Sequence, residues 1–241
     1  MAMGEGVTLI TGASRGIGLA IARHLLAQGH SVIGMARAVP VGAEFPFFTA
    51  DIADADATAA ALAQVVADHQ VLRLVNNAGI FLPAALEEAT PQELDVMMAI
   101  NLRAPMQAMQ AVVPGMRAAG FGRIVNIGSR AALGKPGRLL YGASKAALVG
   151  LTRTAALELA GDGITVNCIA PGPVETEFFA ANNPPGSEQR RRFTATIPTG
   201  RMGQPEEIAH ACAGFLDAQA GYTTGQVLNI CGGLTIGIAT I

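Results

Sequence analysis

Short runs of β-branched and other apolar residues alternate with longer stretches of helical periodicity along the whole chain. This alternation predicts parallel strands joined by helical crossovers and argues against a β-sandwich or a helical bundle. The 241 residues, 51% of them hydrophobic, are enough for one sizeable core, so we predict a single α/β domain spanning residues 1–241. Its doubly wound parallel sheet should have about seven strands: 7–11, 31–35, 47–50, 72–76, 123–127, 165–169 and 226–230. The predicted helices, expected on both faces, are 17–28, 57–68, 91–115, 141–159 and 205–217.

Prolines interrupt this pattern at two places. Pro105 lies within the helical stretch 91–115 and should start a new turn or kink the helix. After Pro171 the periodicity is weak, and turn-forming residues cluster at Pro173, Pro184, Pro185, Gly186 and Pro198. We predict that residues 174–204 form an irregular, mobile lid over a ligand site.

Composition argues against several kinds of partner. The net charge of −2 and the isoelectric point near 6.1 give no electrostatic reason to bind nucleic acid or an anionic membrane. No apolar run reaches the ~18 residues of a membrane span, and residues 1–6 lack the basic segment of a secretory signal. The histidines and the three cysteines do not stand at metal-ligand or disulfide-framework spacing. The sequence therefore predicts a cytoplasmic protein with no metal site and no nucleic-acid or membrane partner.

Three glycines lie between the first predicted strand and the first predicted helix. Gly12 suits a left-handed backbone, Gly16 lets a pyrophosphate approach the helix N-terminus, and Gly18 lets the helix pack on the strand. This arrangement predicts a dinucleotide phosphate cradle formed by Gly12, Ser14, Arg15, Gly16, Ile17 and Gly18.

Tyr141 and Lys145 stand four residues apart on a predicted helix, which places them on one face. A hydride that reaches a carbonyl carbon leaves an alkoxide, and a tyrosine hydroxyl can supply the proton. An ammonium at ~4 Å stabilises a phenolate by about 4 kcal/mol at an effective dielectric of about 20, so Lys145 is expected to lower the pKa of Tyr141. The same spacing occurs by chance in exposed helices, so the pair alone leaves a purely structural alternative open.

The order of the motifs resembles that of the short-chain dehydrogenase/reductase family. The matching motifs cover essentially the whole chain: the G-x-x-x-G-x-G turn, Asn76-Asn77-Ala78-Gly79, Asn101, Ser129, Tyr141-x-x-x-Lys145 and Pro171-Gly172. The resemblance implies a Rossmann-type fold, a nicotinamide cofactor and an oxidoreductase that is usually a homotetramer. The 3-oxoacyl-[acyl-carrier-protein] reductase subgroup is the part of the family that the chain resembles.

The resemblance also implies roles for individual residues. Ser129 would donate a hydrogen bond to the substrate carbonyl oxygen, and Asn101 would bind a water that connects Lys145 to solvent. Tyr141 and Lys145 would contact the cofactor as well as act in catalysis. The remaining cofactor contacts implied are Asp51 and Ile52 at the adenine, Asn77, Ala78 and Gly79 along the cofactor, and Pro171, Gly172, Val174 and Thr176 at the nicotinamide.

The end of the second predicted strand bears on cofactor choice. An acidic residue there would bind the ribose 2′-hydroxyl of NAD, whereas this strand ends in Met35-Ala36-Arg37. Arg37 and Arg15 could instead pair with a 2′-phosphate, which favours NADP(H). Arg37 could also be a solvated loop residue, so NAD(H) stays possible.

The substrate is the least constrained part of the function. Segments 118–121 and 160–163, taken as flanks of the active-site mouth, lack the basic residues that an acidic carrier protein would need. This favours a small ketone or secondary alcohol over a 3-oxoacyl thioester of acyl carrier protein or coenzyme A, although the arginines at 190–192 could attract a carrier. A non-catalytic nicotinamide-binding regulator is a third alternative. The apolar tail 234–241 is expected to be buried in a tetramer.

Overall fold

Seven parallel strands form one sheet in the order β3-β2-β1-β4-β5-β6-β7, as the computed structural model shows. The structure describes residues 6–236, apart from four side chains between 178 and 189. The strands are β1 Val7–Thr11, β2 Val32–Ala36, β3 Phe47–Thr49, β4 Val71–Asn76, β5 Gly122–Ile127, β6 Ile164–Pro171 and β7 Val227–Ile230. The helices are α1 Gly16–Ala27, α2 Ala55–Asp68, α3 Pro91–Met98, α4 Ala104–Ala119, α5 Leu139–Leu159, α6 Glu177–Asn182, α7 Glu188–Ala195 and α8 Pro205–Leu216. The predicted fold class, a doubly wound α/β sheet, is confirmed.

The strand order reverses at β1, which pairs in parallel with β2 on one side and with β4 on the other. In a doubly wound sheet, ligands bind in the crevice at the carboxyl ends of the strands where the order reverses. The turn after β1 and the loop after β4 therefore border the predicted cofactor site.

Neighbouring residues in each central strand contribute to opposite faces of the sheet. Leu9 belongs to a core with α2 and α4, while Ile10 belongs to a second core with α1 and α8. The pairs Leu74–Val75 and Ile124–Val125 divide in the same way, and all of these side chains are fully buried. Each buried Leu or Ile contributes about 1.5–3 kcal/mol, so two cores hold the central strands and their carboxyl ends in register.

The helical stretch predicted at 91–115 is three segments in the structure. A capping box between Thr90 and Glu93 starts α3, and a π-helical turn, Ala99–Arg103, separates it from α4. Pro105 stands in the first turn of α4, directly after the π-helical turn, so the helical hydrogen-bond pattern changes next to this proline as expected. Helix α4 then continues past 115 to Gly120, which closes it in the left-handed conformation.

The segment after β6 is more regular than its sequence suggests. Thr176 caps α6 by accepting a hydrogen bond from Phe179 N, and Ser187 caps α7 by accepting one from Arg190 N. The lid predicted at 174–204 therefore contains two short helices that the sequence analysis missed, because helices of six and eight residues are too short to show a clear period. Its mobility stays a prediction.

Two findings concern possible partners. Among residues 6–236, no helix combines the length and apolarity that crossing a membrane requires. Within the same residues, no group of three or more His, Cys, Asp or Glu side chains is placed to hold a metal ion.

The three cysteines are buried and free. Of the apolar tail, residues 237–241 lie outside the described part of the chain, so its burial is untested.

Candidate active site

The turn after β1 is built from backbone that only glycine adopts readily. Gly12 and Gly16 have φ of +68° and +56°, both in the left-handed region. A Cβ on Gly12 would lie 2.9 Å from the Cα of Ala78, and one on Gly18 would lie 2.3 Å from the carbonyl oxygen of Gly12. The spacing of the three glycines therefore reflects two close backbone contacts as well as a tight turn.

Hydrogen bonds join this turn to the loop after β4. Asn77 Nδ2 donates to the carbonyl oxygens of Thr11 (3.0 Å) and Gly12 (3.1 Å). In return, Thr11 Oγ1 accepts from the backbone N–H groups of Asn77 and Ala78, both at 3.1 Å. Asn77 thus acts on the turn itself, and the Thr11 hydroxyl, which the sequence analysis did not single out, fixes the other side of the same contact.

The N-terminus of α1 has the character of an anion site. Arg15 is its N-cap residue and makes no side-chain capping bond, so the first-turn N–H groups remain available to a ligand. Arg15 and Arg37 are exposed, and neither has an ion pair or a hydrogen bond among the described residues. Ser14 and Ile17 are half-buried in the same turn. The residues present therefore fit a dinucleotide with a pyrophosphate at the turn.

Asp51 and Ile52, the two residues expected at the adenine, have different contacts in the structure. Asp51 is exposed, and its carboxylate accepts a hydrogen bond from Ala53 N at 3.1 Å. Ile52 lines a cavity of about 10 Å³ together with Thr11, Met35 and Ala78. Ile52 therefore lies next to the glycine turn, while the contact of Asp51 with a cofactor stays a prediction.

Four side chains predicted to be catalytic lie together beyond the carboxyl end of β5. The Ser129 side chain lies close enough to the Tyr141 hydroxyl to lower its pKa. Lys145 Nζ lies 5.9 Å from the centre of the Tyr141 ring and donates to Ile127 O at 2.8 Å. A Cβ on Gly79 would lie 3.0 Å from Asn101 Oδ1 and 3.4 Å from Lys145 Nζ, so Gly79 leaves room for both.

Asn101 is fully buried in the π-helical turn and has specific partners. Its Oδ1 accepts from Ile80 N at 2.9 Å, and its Nδ2 donates to Ile80 O and Ser144 Oγ, both at 3.0 Å. These bonds fix the loop after β4 beside Lys145. The role implied by resemblance, binding a water, stays a prediction, since the described contacts are with protein groups.

The pKa shifts of Tyr141 and Lys145 differ from those predicted from the sequence. Burial raises the pKa of Tyr141, and the Ser129 side chain and the charge of Arg138 only partly oppose this rise. Burial also lowers the pKa of Lys145 to about 8. The expectation that Lys145 lowers the pKa of Tyr141 is not supported, because the ammonium is directed at the Ile127 carbonyl. The cationic side chain that acts on the phenol is Arg138.

Arg138 and Phe81 are site residues that sequence reasoning missed. The ring of Phe81 meets that of Tyr141 edge-on at 5.3 Å, and the Arg138 guanidinium lies 4.0 Å from the centre of the Phe81 ring. One signal was available, since Arg138 stands three residues before Tyr141. The contact with Phe81 had no such signal, because it joins two loops far apart in sequence.

The segment after β6 approaches the same edge from the other side. Gly172 N donates to Ile230 O at 2.8 Å, and a Cβ on Gly172 would lie 2.7 Å from the Cα of Cys231. Val174 pairs with Gly203 in a short parallel bridge. A Cβ on Gly16 would lie 3.6 Å from Thr176 Cγ2, so the start of α6 stands over the glycine turn. Thr176 is thus placed beside the glycine turn, while Pro171, Gly172 and Val174 lie at and after the carboxyl end of β6. Contacts of all four residues with a nicotinamide stay predictions.

This doubly wound sheet, with a glycine turn and a Ser–Tyr–Lys group at its carboxyl edge, defines a dinucleotide-binding oxidoreductase. A family model described as "Enoyl-(Acyl carrier protein) reductase" matches residues 12–235. The 3-oxoacyl-[acyl-carrier-protein] reductase of Vibrio cholerae is 37% identical over 95% of this chain and 96% of its own. The acetoacetyl-CoA reductase of Rhizobium meliloti is 38% identical over 94% and 97%. The chain belongs to the short-chain dehydrogenase/reductase family.

A solved structure extends the comparison to the fold. The 3-oxoacyl-(acyl-carrier-protein) reductase of Agrobacterium tumefaciens C58, determined with NADP bound, is 31% identical and has a TM-score of 0.86. The match covers 94% of this chain and 93% of that one. The likeness therefore extends over most of both chains.

Proposed function

We propose that this protein transfers a hydride between NADP(H) and a small ketone or secondary alcohol, with Tyr141 as general acid and base. The observation that carries the proposal is the placement of the Ser129 and Tyr141 side chains near the buried Lys145, whose Nζ lies 5.9 Å from the centre of the Tyr141 ring. Ser129 follows β5, whereas Tyr141 and Lys145 lie on α5. Such a cluster beside a dinucleotide turn is suited to carbonyl reduction.

Each residue has a distinct task in the proposed reaction. The bound nicotinamide supplies or accepts the hydride. Ser129 donates a hydrogen bond to the carbonyl oxygen, and Tyr141 donates the proton that this oxygen takes up. A raised pKa keeps Tyr141 protonated at neutral pH, which suits the direction of reduction. Lys145, held by Ile127 O, orients the nicotinamide ribose.

The proposal of NADP(H) rests on the two free arginines at the cofactor end. Arg15 and Arg37 are exposed without an ion pair among the described residues, and β2 ends without a carboxylate. The relative from Agrobacterium tumefaciens holds NADP in its structure. We expect NADPH to be preferred over NADH by about tenfold in kcat/KM, because a charge-assisted hydrogen bond contributes about 1.5–3 kcal/mol.

Replacing Arg37 tests this preference directly. Arg37→Gln should lower kcat/KM for NADPH about tenfold and leave that for NADH nearly unchanged. Arg117→Gln is the matched control, since Arg117 is an exposed arginine paired with Asp162 at 2.7 Å, away from the site. A tenfold preference of the unmodified enzyme for NADH would instead support NAD(H) as the cofactor.

A 3-oxoacyl thioester is the second candidate substrate, because the curated relatives reduce such compounds according to their names. One argument against it from sequence fails. Segments 118–121 and 160–163 precede β5 and β6, so within this chain they lie at the amino-terminal edge of the sheet, opposite the site. Their lack of basic residues therefore says nothing about the active-site mouth.

The decisive experiment compares simple ketones with 3-oxoacyl thioesters, with and without carrier protein, by following NADPH oxidation. Tyr141→Phe should lower kcat by about 100-fold or more with any substrate that is turned over, while NADPH binding is retained. Near-normal turnover by this variant would contradict the assignment of Tyr141. NADPH binding with no turnover across the whole panel would instead favour a nicotinamide-binding regulator.

Assembly as a homotetramer and location in the cytoplasm remain part of the proposal. Leu157 on α5 and Tyr222 before β7 are largely exposed in the single chain, at 84% and 104%. A tetramer interface that covered these side chains would remove their apolar surface from water. A monomer by light scattering would contradict the tetramer.

A further inference from the structure

Three cationic side chains lie between β5 and α5, directly after Ser129. We call Arg130, Lys135 and Arg138 the cationic rim. Each is partly buried, and none has an ion pair or a hydrogen bond from its side chain among the described residues. Unpaired cations at partly buried positions are uncommon, because burial removes hydration that nothing else replaces.

Aromatic rings hold two of these cations next to the reacting group. Arg138 lies over Phe81 at 4.0 Å, and Phe81 contacts Tyr141 at 5.3 Å. Lys135 Nζ lies 4.3 Å from the centre of the Phe193 ring on α7. The cationic rim therefore borders Tyr141 on one side and the helices after β6 on the other.

The members of the cationic rim destabilise one another's charges. Burial, together with the charges of Arg138 and Arg130, lowers the pKa of Lys135 to about 8. Burial and the charge of Arg130 also lower the pKa of Arg138. Two cation–π contacts offset only part of this cost, so an arriving anion would be stabilised strongly.

Neither the cofactor phosphates nor the acidic residues of the neighbouring helices account for these charges. The phosphate cradle lies at the N-terminus of α1, after a different strand, and has its own free arginines. Glu175 pairs with Arg190, and Glu188 pairs with Arg191 and Arg192. Both glutamates are thus neutralised by arginines of their own segment.

We propose that the cationic rim binds an anionic group, a carboxylate or a phosphate, carried by the carbonyl substrate. The proposal rests on the proposed function, since it concerns the substrate of the same site. Arg138 can receive a carboxylate through two parallel hydrogen bonds, and Lys135 adds a compact charge from the side of α7. The position of Arg138 beside Phe81 and Tyr141 favours an anionic group close to the carbonyl, as in an oxo acid.

The test uses pairs of substrates in which one member carries the anionic group and the other is neutral. The first arm compares 2-, 3- and 4-oxo acids with their methyl esters, and the second compares 3-oxoacyl-CoA with the neutral N-acetylcysteamine thioester. We expect kcat/KM for the anionic member of at least one arm to exceed that of its neutral partner by about tenfold. A preference in the first arm identifies the bound anionic group as a carboxylate, and a preference in the second identifies it as the coenzyme phosphates.

Variants then assign the preference to the cationic rim. Arg138→Gln and Lys135→Gln should each reduce the anion-to-neutral ratio of kcat/KM several-fold, whereas Arg138→Lys should retain part of it. Arg117→Gln removes the same charge from an exposed arginine at the opposite edge of the sheet and should leave the ratio unchanged. The preference should also fall as ionic strength rises.

The outcomes separate this proposal from the proposed function. Equal turnover of charged and neutral partners, unaffected by Arg138→Gln, would overturn the anion site and leave carbonyl reduction standing. If no carbonyl compound is turned over, calorimetric titration of the oxo acids and esters into the NADP-saturated protein still tests whether the cationic rim binds an anion. Tighter binding of the acids that Arg138→Gln abolishes would support the anion site, and equal binding would overturn it.

Discussion

The two ends of the carboxyl edge of the sheet are built by different means. At the cofactor end, the backbone determines the shape: two left-handed glycines, Gly12 and Gly16, and the carbonyls that Asn77 holds. At the substrate end, side chains determine the shape, as in the contacts of Arg138 with Phe81 and of Lys135 with Phe193. A backbone conformation that only glycine adopts readily requires glycine at one particular position of the sequence. A side-chain contact, in contrast, can be made by many residue types. The comparison explains why the cofactor class is better constrained than the substrate.

The largest expected effect tests whether backbone shape governs the cofactor end. Gly12→Val places a branched side chain at φ +68° and against the Ala78 backbone. Strain and overpacking of about 1–3 kcal/mol each should weaken NADPH binding by about 100-fold or more. Fluorescence titration with NADPH measures the effect, and thermal unfolding shows whether the variant is folded.

Gly29→Val provides the matched control for strain alone. Gly29 has φ of +83°, and a Cβ there would meet no atom within 4 Å. This variant should lose stability but keep NADPH binding. If both variants bound NADPH equally well, the cofactor end would not depend on the backbone of its turn.

Much of the fold and of the cofactor end follows from sequence because spacing encodes it. Strand and helix periods located all seven strands to within about two residues, and the glycine spacing located the turn. The Ser129, Tyr141 and Lys145 cluster also followed, since the carboxyl ends of parallel strands converge. The features that the sequence did not predict depend on packing. They are the π-helical turn that buries Asn101, the short helices after β6, and the effect of burial on the pKa of Tyr141.

A smaller effect separates two threonines of β1 that sequence alone cannot rank. Thr11 Oγ1 accepts two backbone hydrogen bonds, whereas Thr8 Oγ1 is buried and has no hydrogen-bond partner within the described chain. Thr11→Val leaves Ala78 N without its acceptor and should cost about 1–3 kcal/mol, or a Tm lower by about 2–10 °C. The KM for NADPH should rise as well, because the turn loses its attachment to the loop after β4.

Thr8→Val is the control for the same substitution in the same strand. Removing an unpartnered buried hydroxyl should be neutral or slightly stabilising. Thermal unfolding of both variants in one buffer gives the comparison. Equal losses of stability would show that hydroxyl bonds to the loop after β4 add nothing to the cofactor end.

The most gradual effect concerns the substrate end, where a buried ionisable side chain makes stability depend on pH. The pKa of Lys145 is lowered from 10.5 to about 8 by burial. Between these values the unfolded chain binds more protons than the folded protein, so this residue makes the free energy of unfolding rise with pH. Below pH 8 the penalty is complete and constant, and above 10.5 it has gone.

Lys145→Met removes this contribution and should flatten the pH dependence. Relative to the unmodified protein, the variant should lose stability steadily between pH 8 and pH 10, by up to about 1.4 kcal/mol per pH unit. Leu148→Met, a buried apolar change on the same helix, should give a difference from the unmodified protein that is constant over this range. Urea unfolding at intervals of pH measures both variants. Parallel curves for Lys145→Met and the unmodified protein would mean that Lys145 keeps an ordinary pKa. The ammonium would then be solvated, and the substrate end would be more open to water than its side-chain packing indicates.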